Sequence, residues 1–213
     1  MANHVTNRIT LIGNKSIKQL AREINRRFMA DKKKHKDEEE NSSVGRVLYG
    51  LSGEDAELNM STTGSAWVYV DGPWDENPPL RLISSWSPIN GVQDFILENC
   101  AKLDPNVIVI NEYSDESALF IGCRVVVSRK GKVVEFVEQE DTSNYTLVDE
   151  DYSDDDEENS ENDDEQDDRD PDSITWDELW SMLDDLKINL IGELAMSDTR
   201  FNKEKILKMI EDM

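Results

Sequence analysis

The sequence has few of the residues that enzymes commonly use for nucleophilic catalysis or metal binding. It contains only two cysteines and two histidines among 213 residues. Cys100 and Cys123 do not form a close CxxC pair, and His4 lies far from His35, so no zinc-type site is predicted. A serine or cysteine nucleophile would lack its usual histidine base, and neither GxxxxGK[ST] nor GxGxxG occurs. We therefore predict a protein that is not an enzyme and needs no metal or cofactor.

Long apolar runs are also missing. The longest span a handful of residues, far short of the roughly 20 that cross a bilayer. The first residues carry no apolar stretch typical of a secretory signal. Two cysteines are too few for a disulfide scaffold. The expected location is therefore the cytoplasm, with no membrane partner.

Basic residues are scarce, at 23 against 47 acidic ones, and the formal net charge is −24. Residues 140–172 hold 18 acidic residues and one arginine. Because this segment has almost no apolar content, we expect it to be a disordered acidic linker. The chain as a whole should not bind nucleic acid through phosphate neutralisation, which needs a surplus of Lys and Arg.

Residues 1–139 alternate between strand and helix patterns. Strands are expected at 4–12, 44–51, 65–70, 80–85 and 107–113, followed by a hairpin of 119–128 and 132–138. Apolar residues at helical spacing predict helices at 17–30, with Ser16 as the cap, and from Pro88 to about 103, with Ser87 as the cap. This order predicts an α+β domain with two helices on one face of a mainly antiparallel sheet.

Residues 173–213 form a third predicted region. Helical periodicity over 174–196, with Ser173 or Thr175 as the cap and a break near Asn189, is followed by a second helix over 200–213. A helical hairpin of about 40 residues is marginally stable by itself. It is expected to dock on the N-terminal domain, on a second copy of the chain or on a partner.

Three sets of residues are candidates for binding a partner. The first is aromatic. Core packing is the favoured interpretation of the five tryptophans, and the alternative is a set of exposed aromatic side chains that bind a partner, namely Trp74, Trp176 and Trp180. The second is basic and lies on the first helix and just after it. It could contact phosphates or dock the acidic segment, although a solvated face is favoured, and it comprises Arg22, Arg26, Arg27, Lys32, Lys33 and Lys34.

The third candidate set is acidic. The acidic segment could be a plain linker, or a tail that covers the basic face of the first helix. As a third possibility, it could resemble nucleic acid, because when extended it approaches the charge density of duplex DNA, about one charge per 1.7 Å. It could therefore compete with nucleic acid for a basic protein surface. The residues concerned are Asp154, Asp155, Asp156, Glu157, Glu158, Asp163, Asp164, Glu165, Asp167 and Asp168.

Two short motifs carry a resemblance to a known family. The opening Asn3-His4-Val5-Thr6-Asn7-Arg8 and the later Ser85-Trp86-Ser87-Pro88-Ile89 resemble the Api92-like family of phages and other mobile elements, whose domain is of the YubB ferredoxin-like type. Tyr113 with Asp115 and Glu116, and then Gly122, follow in the family's order. Residues 63–67 are only partly similar to the family's Asn-Trp-Gly-Thr-Lys-Trp-Asp segment and lack its Lys and Asp.

The resemblance covers roughly residues 1–135 and implies a ferredoxin-like fold and a mobile-element origin, with no activity to transfer. Together with the acidic segment, it leads us to expect a non-enzymatic, phage-type accessory protein in the cytoplasm of a host cell. It would bind a host defence or nucleic-acid-binding protein that has a basic surface, with the acidic segment as a partial nucleic-acid mimic. The alternative is a nucleic-acid-binding module that uses the sheet face and the basic first helix, and a third hypothesis is an enzyme with paired carboxylates and a divalent metal.

Overall fold

The computed structural model describes residues 3–35, 42–52, 58, 60–71, 79–129, 132–142, 146–147 and 173–212. Within these ranges, none of the helices combines the length and apolar character that a membrane span requires. The acidic residues Asp154–Asp168 and Trp74 lie outside the described ranges.

The centre of the described fold is a six-stranded antiparallel sheet with the spatial order β2-β3-β1-β4-β5-β6. Its strands are β1 (His4–Ile12), β2 (Val68–Val70), β3 (Leu80–Ser85), β4 (Ile108–Asp115), β5 (Ile121–Arg129) and β6 (Lys132–Asp141). β1 is central and pairs with both β3 and β4. β5 and β6 form the predicted hairpin at one edge, with an irregularity at Val125.

Two long helices and four shorter ones accompany the sheet in the described ranges. They are α1 (Lys15–Lys34), α2 (Ser42–Val44), α3 (Met60–Thr63), α4 (Asn90–Cys100), α5 (Trp176–Ser197) and α6 (Lys203–Glu211). A π-helical turn over Gly45–Tyr49 directly continues α2. The predicted α+β class is confirmed.

The first helix begins earlier and ends later than its sequence pattern predicts. Asn14, not Ser16, is the N-cap, because its side-chain oxygen accepts hydrogen bonds from the backbone N–H groups of Ser16 and Ile17. The helix continues to Lys34, where three consecutive lysines occupy its last turn. Positive side chains are favourable at a helix C-terminus because they oppose the partial negative charge of the free carbonyls.

Helices α1 and α4 pack on one face of the sheet, as predicted. The core between them combines Ile9 and Leu11 of β1 with the apolar stripes of both helices, which include Ile17 and Ile96. Cys100, at the end of α4, is fully buried in this core. Cys100 therefore has a structural position in the core. No side chain caps the N-terminus of α4, so the cap predicted at Ser87 is wrong.

The opposite face of the sheet is covered in part by the C-terminal hairpin. Leu190, Ile191 and Leu194 of α5 pack with residues of β1, β4 and β5. The predicted cap at Thr175 is present as a capping box with Glu178, and α5 runs without the break expected near Asn189. The third region therefore docks on the sheet of its own chain.

Residues 44–51 were expected to form a strand and instead form helical turns. Val44, Val47, Leu48 and Leu51 all contact the core beneath α1. Their spacing of three and four residues places them on one side of a helix, and a strand would point them to both sides. Arg46 also forms an ion pair with Asp31 of α1 at 2.8 Å, which holds the turns against the helix.

A second, two-stranded sheet is formed by the residues on either side of 148–172. β7 (Thr146–Leu147) pairs in parallel with β8 (Ser173–Ile174). Ile174 is buried against Ala118 and Ile121, next to the β4–β5 turn. The chain on either side of 148–172 is thus brought to one place at the end of the main sheet.

Candidate interaction surface

The part of the sheet face that α5 leaves uncovered carries a group of aromatic side chains. The apolar clusters formed by α5 and α6 include residues of β1, β4 and β5, but no described residue of β2 or β3. We define the aromatic surface as His4, Trp67, Tyr69 and Trp86. These residues come from the start of β1, from β2 and the residue before it, and from the residue that follows β3.

Three of these side chains contact one another. The rings of Trp67 and Tyr69 are stacked, with centroids 5.2 Å apart and planes 21° apart. The ring of His4 meets Trp67 edge-on, at 5.3 Å and 78°, and reaches Tyr69 at 6.5 Å. His4 is exposed, and the two larger rings are half-buried. The surface is therefore an ordered aromatic cluster with one side open to solvent.

Strand pairing explains why distant residues meet here. Val68 pairs with Ser84, and His4 pairs with Ser85, so Trp67 and His4 lie on either side of β3. Tyr69 and Thr6 both pair with Ile83, one row further along the strands. Each strand contributes alternate side chains to this face.

Trp86 has an unusual backbone conformation for its residue type. Its φ is +65°, in the left-handed region that bulky residues rarely adopt, and its side chain is 57% exposed. The backbone N–H of Trp86 donates a hydrogen bond to the carbonyl of Asn3 at 2.9 Å. Strained residues of this kind cluster at functional sites. Trp86 thus adds an exposed ring at the same end of the sheet.

The charges beside the aromatic surface are of both signs. Glu116 lies 3.4 Å from Nδ1 of His4, and both side chains are well exposed. One row beyond Tyr69, Arg8 pairs directly with Arg81. The guanidinium of Arg8 lies 4.6 Å from the ring centroid of Trp180, which is the position of a cation–π contact.

A buried ionic cluster lies under α5, next to Arg8. Nζ of Lys187 donates to Glu112 at 3.0 Å and also pairs with Asp184. Burial raises the pKa of Glu112 above its ordinary value, although the charges of Lys187 and Arg8 oppose this effect. Burial lowers the pKa of Lys187, but Glu112 and Asp184 more than offset it, and the net shift is upward. This cluster connects α5 to β4, and breaking such a pair leaves a buried charge uncompensated.

The three tryptophans predicted as partner-binding residues do not form one site in the described structure. Trp180 is half-buried against Arg8, whereas Trp176 is 40% exposed at the first turn of α5. Trp74 lies outside the described residues. The aromatic cluster on β2 was missed, although the alternation of Trp67 and Tyr69 with Val68 and Val70 signals a strand with an aromatic face.

The predicted basic residues all lie on the outer side of α1. Glu23 forms ion pairs with Arg26 and with Arg27, the latter at 2.8 Å. Hydrogen bonds from these two arginines lower the pKa of Glu23, so part of the positive charge is compensated within the helix. Every member of the set is solvent-exposed: Arg22, Arg26, Arg27, Lys32, Lys33 and Lys34.

The motifs that carry the family resemblance meet inside the fold. The side-chain amide of Asn7 donates to Oγ of Ser84 at 2.9 Å, and its oxygen accepts from the backbone N–H of Ile89 and from the side chain of Asn111. The opening strand is thereby connected to the loop that follows β3. These hydrogen bonds are buried, so this part of the motif has a structural role.

Tyr113 and Gly122, which also belong to the family resemblance, are in contact as well. Tyr113 lies directly opposite Gly122 in the β4–β5 pairing, and a Cβ atom at Gly122 would stand 2.5 Å from the tyrosine ring. The buried Tyr113 donates to Glu138 at 3.0 Å. Burial and the two nearby glutamates raise the pKa of Tyr113.

Within the described ranges, no cluster of three or more His, Cys, Asp or Glu side chains could hold a metal ion. Both cysteines are free and buried. Burial raises the pKa of Cys100 to about 12, and that of Cys123 is raised for the same reason. Their thiolates are thus disfavoured.

Comparisons with family models, with curated proteins and with solved structures find no match to this chain.

Proposed function

We propose that this chain is a non-enzymatic, phage-type accessory protein that binds a basic surface of a host protein, with the acidic segment as a partial nucleic-acid mimic. The carrying observation is the distribution of charge: residues 140–172 hold a net charge of −17 out of −24. Within the proposal, the target is a host defence or nucleic-acid-binding protein in the cytoplasm. Electrostatic complementarity of this kind chiefly accelerates association and selects partners.

The two short strands on either side of residues 148–172 support this proposal. β7 and β8 bring the chain on either side of 148–172 together at one end of the sheet, and Ile174 fixes that place in a small core. The chain therefore reaches Leu147 and resumes at Ser173 at one place, beside the β4–β5 turn.

A capture experiment in which acidic residues are neutralised at two separate places tests this function. In one variant, the ten acidic residues of the set Asp154–Asp168 named above become Asn or Gln. In the control, exposed acidic residues of the C-terminal region are neutralised instead, at Asp177, Asp185, Glu193, Glu204, Glu211 and Asp212.

The native chain and the control should capture the same proteins from host lysate, and duplex DNA should release them. The first variant should lose them, because an acidic mimic and DNA compete for one basic surface. Capture of the same proteins by the first variant would show that mimicry is wrong.

We also propose that residues 1–139 form a ferredoxin-like domain related to the Api92-like family. The order β4-β1-β3-β2 within the sheet, with α1 between β1 and β2 and α4 between β3 and β4, supports this arrangement. It is the order of a split βαβ fold. The mobile-element origin remains a proposal that depends on the two sequence motifs.

A nucleic-acid-binding module is the second candidate function. The observation that favours it is the exposure of all six basic residues on α1. Filter binding of the full chain to duplex and single-stranded oligonucleotides, compared with a variant in which Arg22, Arg26 and Arg27 become Glu, tests this function. Equal retention of both proteins would exclude the basic face as a phosphate-binding site.

A further inference from the structure

We propose that the aromatic surface binds an arginine- or lysine-rich segment of a partner protein, with cationic side chains seated against Trp67 and Tyr69 beside the carboxylate of Glu116. The proposal rests on the proposed function for the nature of the partner, a protein with a basic surface. It adds a second binding site and names the side chains that this site recognises.

The geometry of the rings supports cation binding. Trp67 and Tyr69 are stacked at 5.2 Å, with the exposed His4 at their edge. Aromatic faces carry negative electrostatic potential and attract ammonium and guanidinium groups. The molecule already contains two contacts of this type, Arg8 over Trp180 at 4.6 Å and Arg200 over Phe201 at 5.1 Å.

The charge around the surface selects a cationic segment. The carboxylate of Glu116 is 44% exposed and lies beside His4, so a bound cation can contact a ring and a carboxylate together. The backbone N–H of Glu116 also donates to the carbonyl of His4 at 2.8 Å, which holds the two residues in place. Single-stranded nucleic acid stacks on aromatic rings too, but its phosphates would be repelled by the carboxylate of Glu116.

The acidic segment strengthens this selection. Its second end, at Ile174, packs against Ala118 in the same turn that carries Glu116. The end of a segment with a net charge of −17 is thus followed by a residue that packs in the turn carrying Glu116. The segment would raise the local concentration of cations and lower that of polyanions.

Arg8 and Arg81 limit the extent of the proposed site. They occupy the row beyond Tyr69 and carry the same charge as the proposed ligand. Arg8 lies over Trp180 and pairs across the strands with Glu112. The cationic segment is therefore confined to the two rows of side chains that contain Trp67 and Tyr69, at the end of the sheet nearest Glu116.

Nuclear magnetic resonance of the tryptophan indoles gives a readout at single residues. The full chain is labelled with ¹⁵N, and each indole signal is assigned by single substitution. Octa-arginine is the probe, added to a variant in which the acidic residues between 149 and 170 are Asn or Gln, so that binding to that segment does not obscure the surface. We expect saturable shifts of the Trp67 and Trp86 indole signals.

Loss of the rings should weaken peptide binding. Replacing Trp67 with Leu should lower affinity about three- to fivefold, and W67L combined with Y69L about tenfold. Trp67→Phe keeps a ring and should retain most of the affinity. Phe95→Leu is the matched control, because Phe95 stacks on Tyr49 on the other side of the sheet. Circular dichroism melting of each variant verifies that it is folded.

Two results would overturn the proposal. One is unchanged peptide affinity in a folded W67L/Y69L variant. The other is an oligothymidylate that shifts the Trp67 and Trp86 signals when octa-arginine does not, which would assign the surface to nucleic acid. The proposed function can fail independently. If the captured proteins stay bound after residues 154–168 are neutralised, nucleic-acid mimicry is wrong, but the result of the indole experiment is not affected.

Discussion

The contact between Tyr113 and Gly122 predicts the effect of adding a single methyl group. In Gly122→Ala, the new Cβ would lie 2.5 Å from the ring and hydroxyl of Tyr113. That ring is fully buried, and its hydroxyl is bonded to Glu138. It cannot swing into solvent without losing both its packing and this bond. Overpacking of this kind costs about 1–3 kcal/mol.

A second effect has the opposite sign. Alanine restricts the unfolded chain more than glycine does, which stabilises a protein by about 0.4–1 kcal/mol where the backbone conformation suits alanine. Gly122 has no positive φ, so this gain applies. We therefore expect Gly122→Ala to lower the free energy of unfolding by about 1–2 kcal/mol.

Urea unfolding followed by tryptophan fluorescence measures this change. Gly192→Ala is the matched control, because Gly192 lies inside α5 and its Cβ would meet only the Lys203 side chain at 3.4 Å or more. Alanine is favoured over glycine within a helix by about 0.5–1 kcal/mol. The same substitution should thus stabilise the protein at one site and destabilise it at the other.

The double variant with Tyr113→Ala tests the steric cause. Removing the ring destabilises the protein by about 3–5 kcal/mol, but it also removes the atoms that the Gly122→Ala methyl group would meet. In that background, Gly122→Ala should be neutral or stabilising, with a coupling of about 1–3 kcal/mol. Equal destabilisation with and without the ring would refute the reasoning.

Three further substitutions or treatments have expected outcomes. Lys187→Met leaves Glu112 buried without its cation and should destabilise the protein by about 3 kcal/mol at pH 7. Because the pKa of Glu112 is already raised and would rise further, its protonated form is favoured in the folded state, and urea unfolding should show a smaller loss near pH 4 than near pH 7. Asn7→Leu leaves several buried partners unbonded and should lower the free energy of unfolding by about 2–3 kcal/mol in the same assay. Cys100 and Cys123, both buried with raised pKa values, should react with an aromatic disulfide reagent only on unfolding, and rapid reaction in native buffer would contradict this assignment.

Sequence patterns predict the strands and helices that bury one regularly spaced set of side chains. In β1, every second residue from Val5 to Leu11 is buried, with Ile9 and Leu11 in the core that includes α1, and such a period of two is the expected signal of a strand. The apolar stripe of α1 predicts that helix equally directly. By contrast, the run of 44–51 is rich in Val and Leu, which suits a strand by composition. These residues form helical turns because that conformation packs their apolar side chains under α1.

The aromatic surface could not be predicted from the sequence, for two physical reasons. Its residues come from three strands, and His4 meets Trp67 only because β3 pairs with both β1 and β2. Its exposure also depends on where α5 docks. Periodicity predicts an apolar face on α5 but not which half of the sheet that face covers. The position of Trp180 against Arg8 is known only once the helix is in place.

The docking of α5 bears on both proposals at once. The helix covers the half of the sheet formed by β4 and β5 and leaves the edge with β2 open. It also follows directly from β8, so the same docking holds the end of the acidic segment beside the β4–β5 turn. A basic partner that contacts the chain beside Ile174 would then lie next to the turn of Glu116, which is hydrogen-bonded to His4 of the aromatic surface. Its second contact becomes intramolecular, with an effective concentration that reaches the millimolar range for short flexible connections. A weak site for a short arginine peptide can therefore contribute strongly to the binding of a whole partner protein.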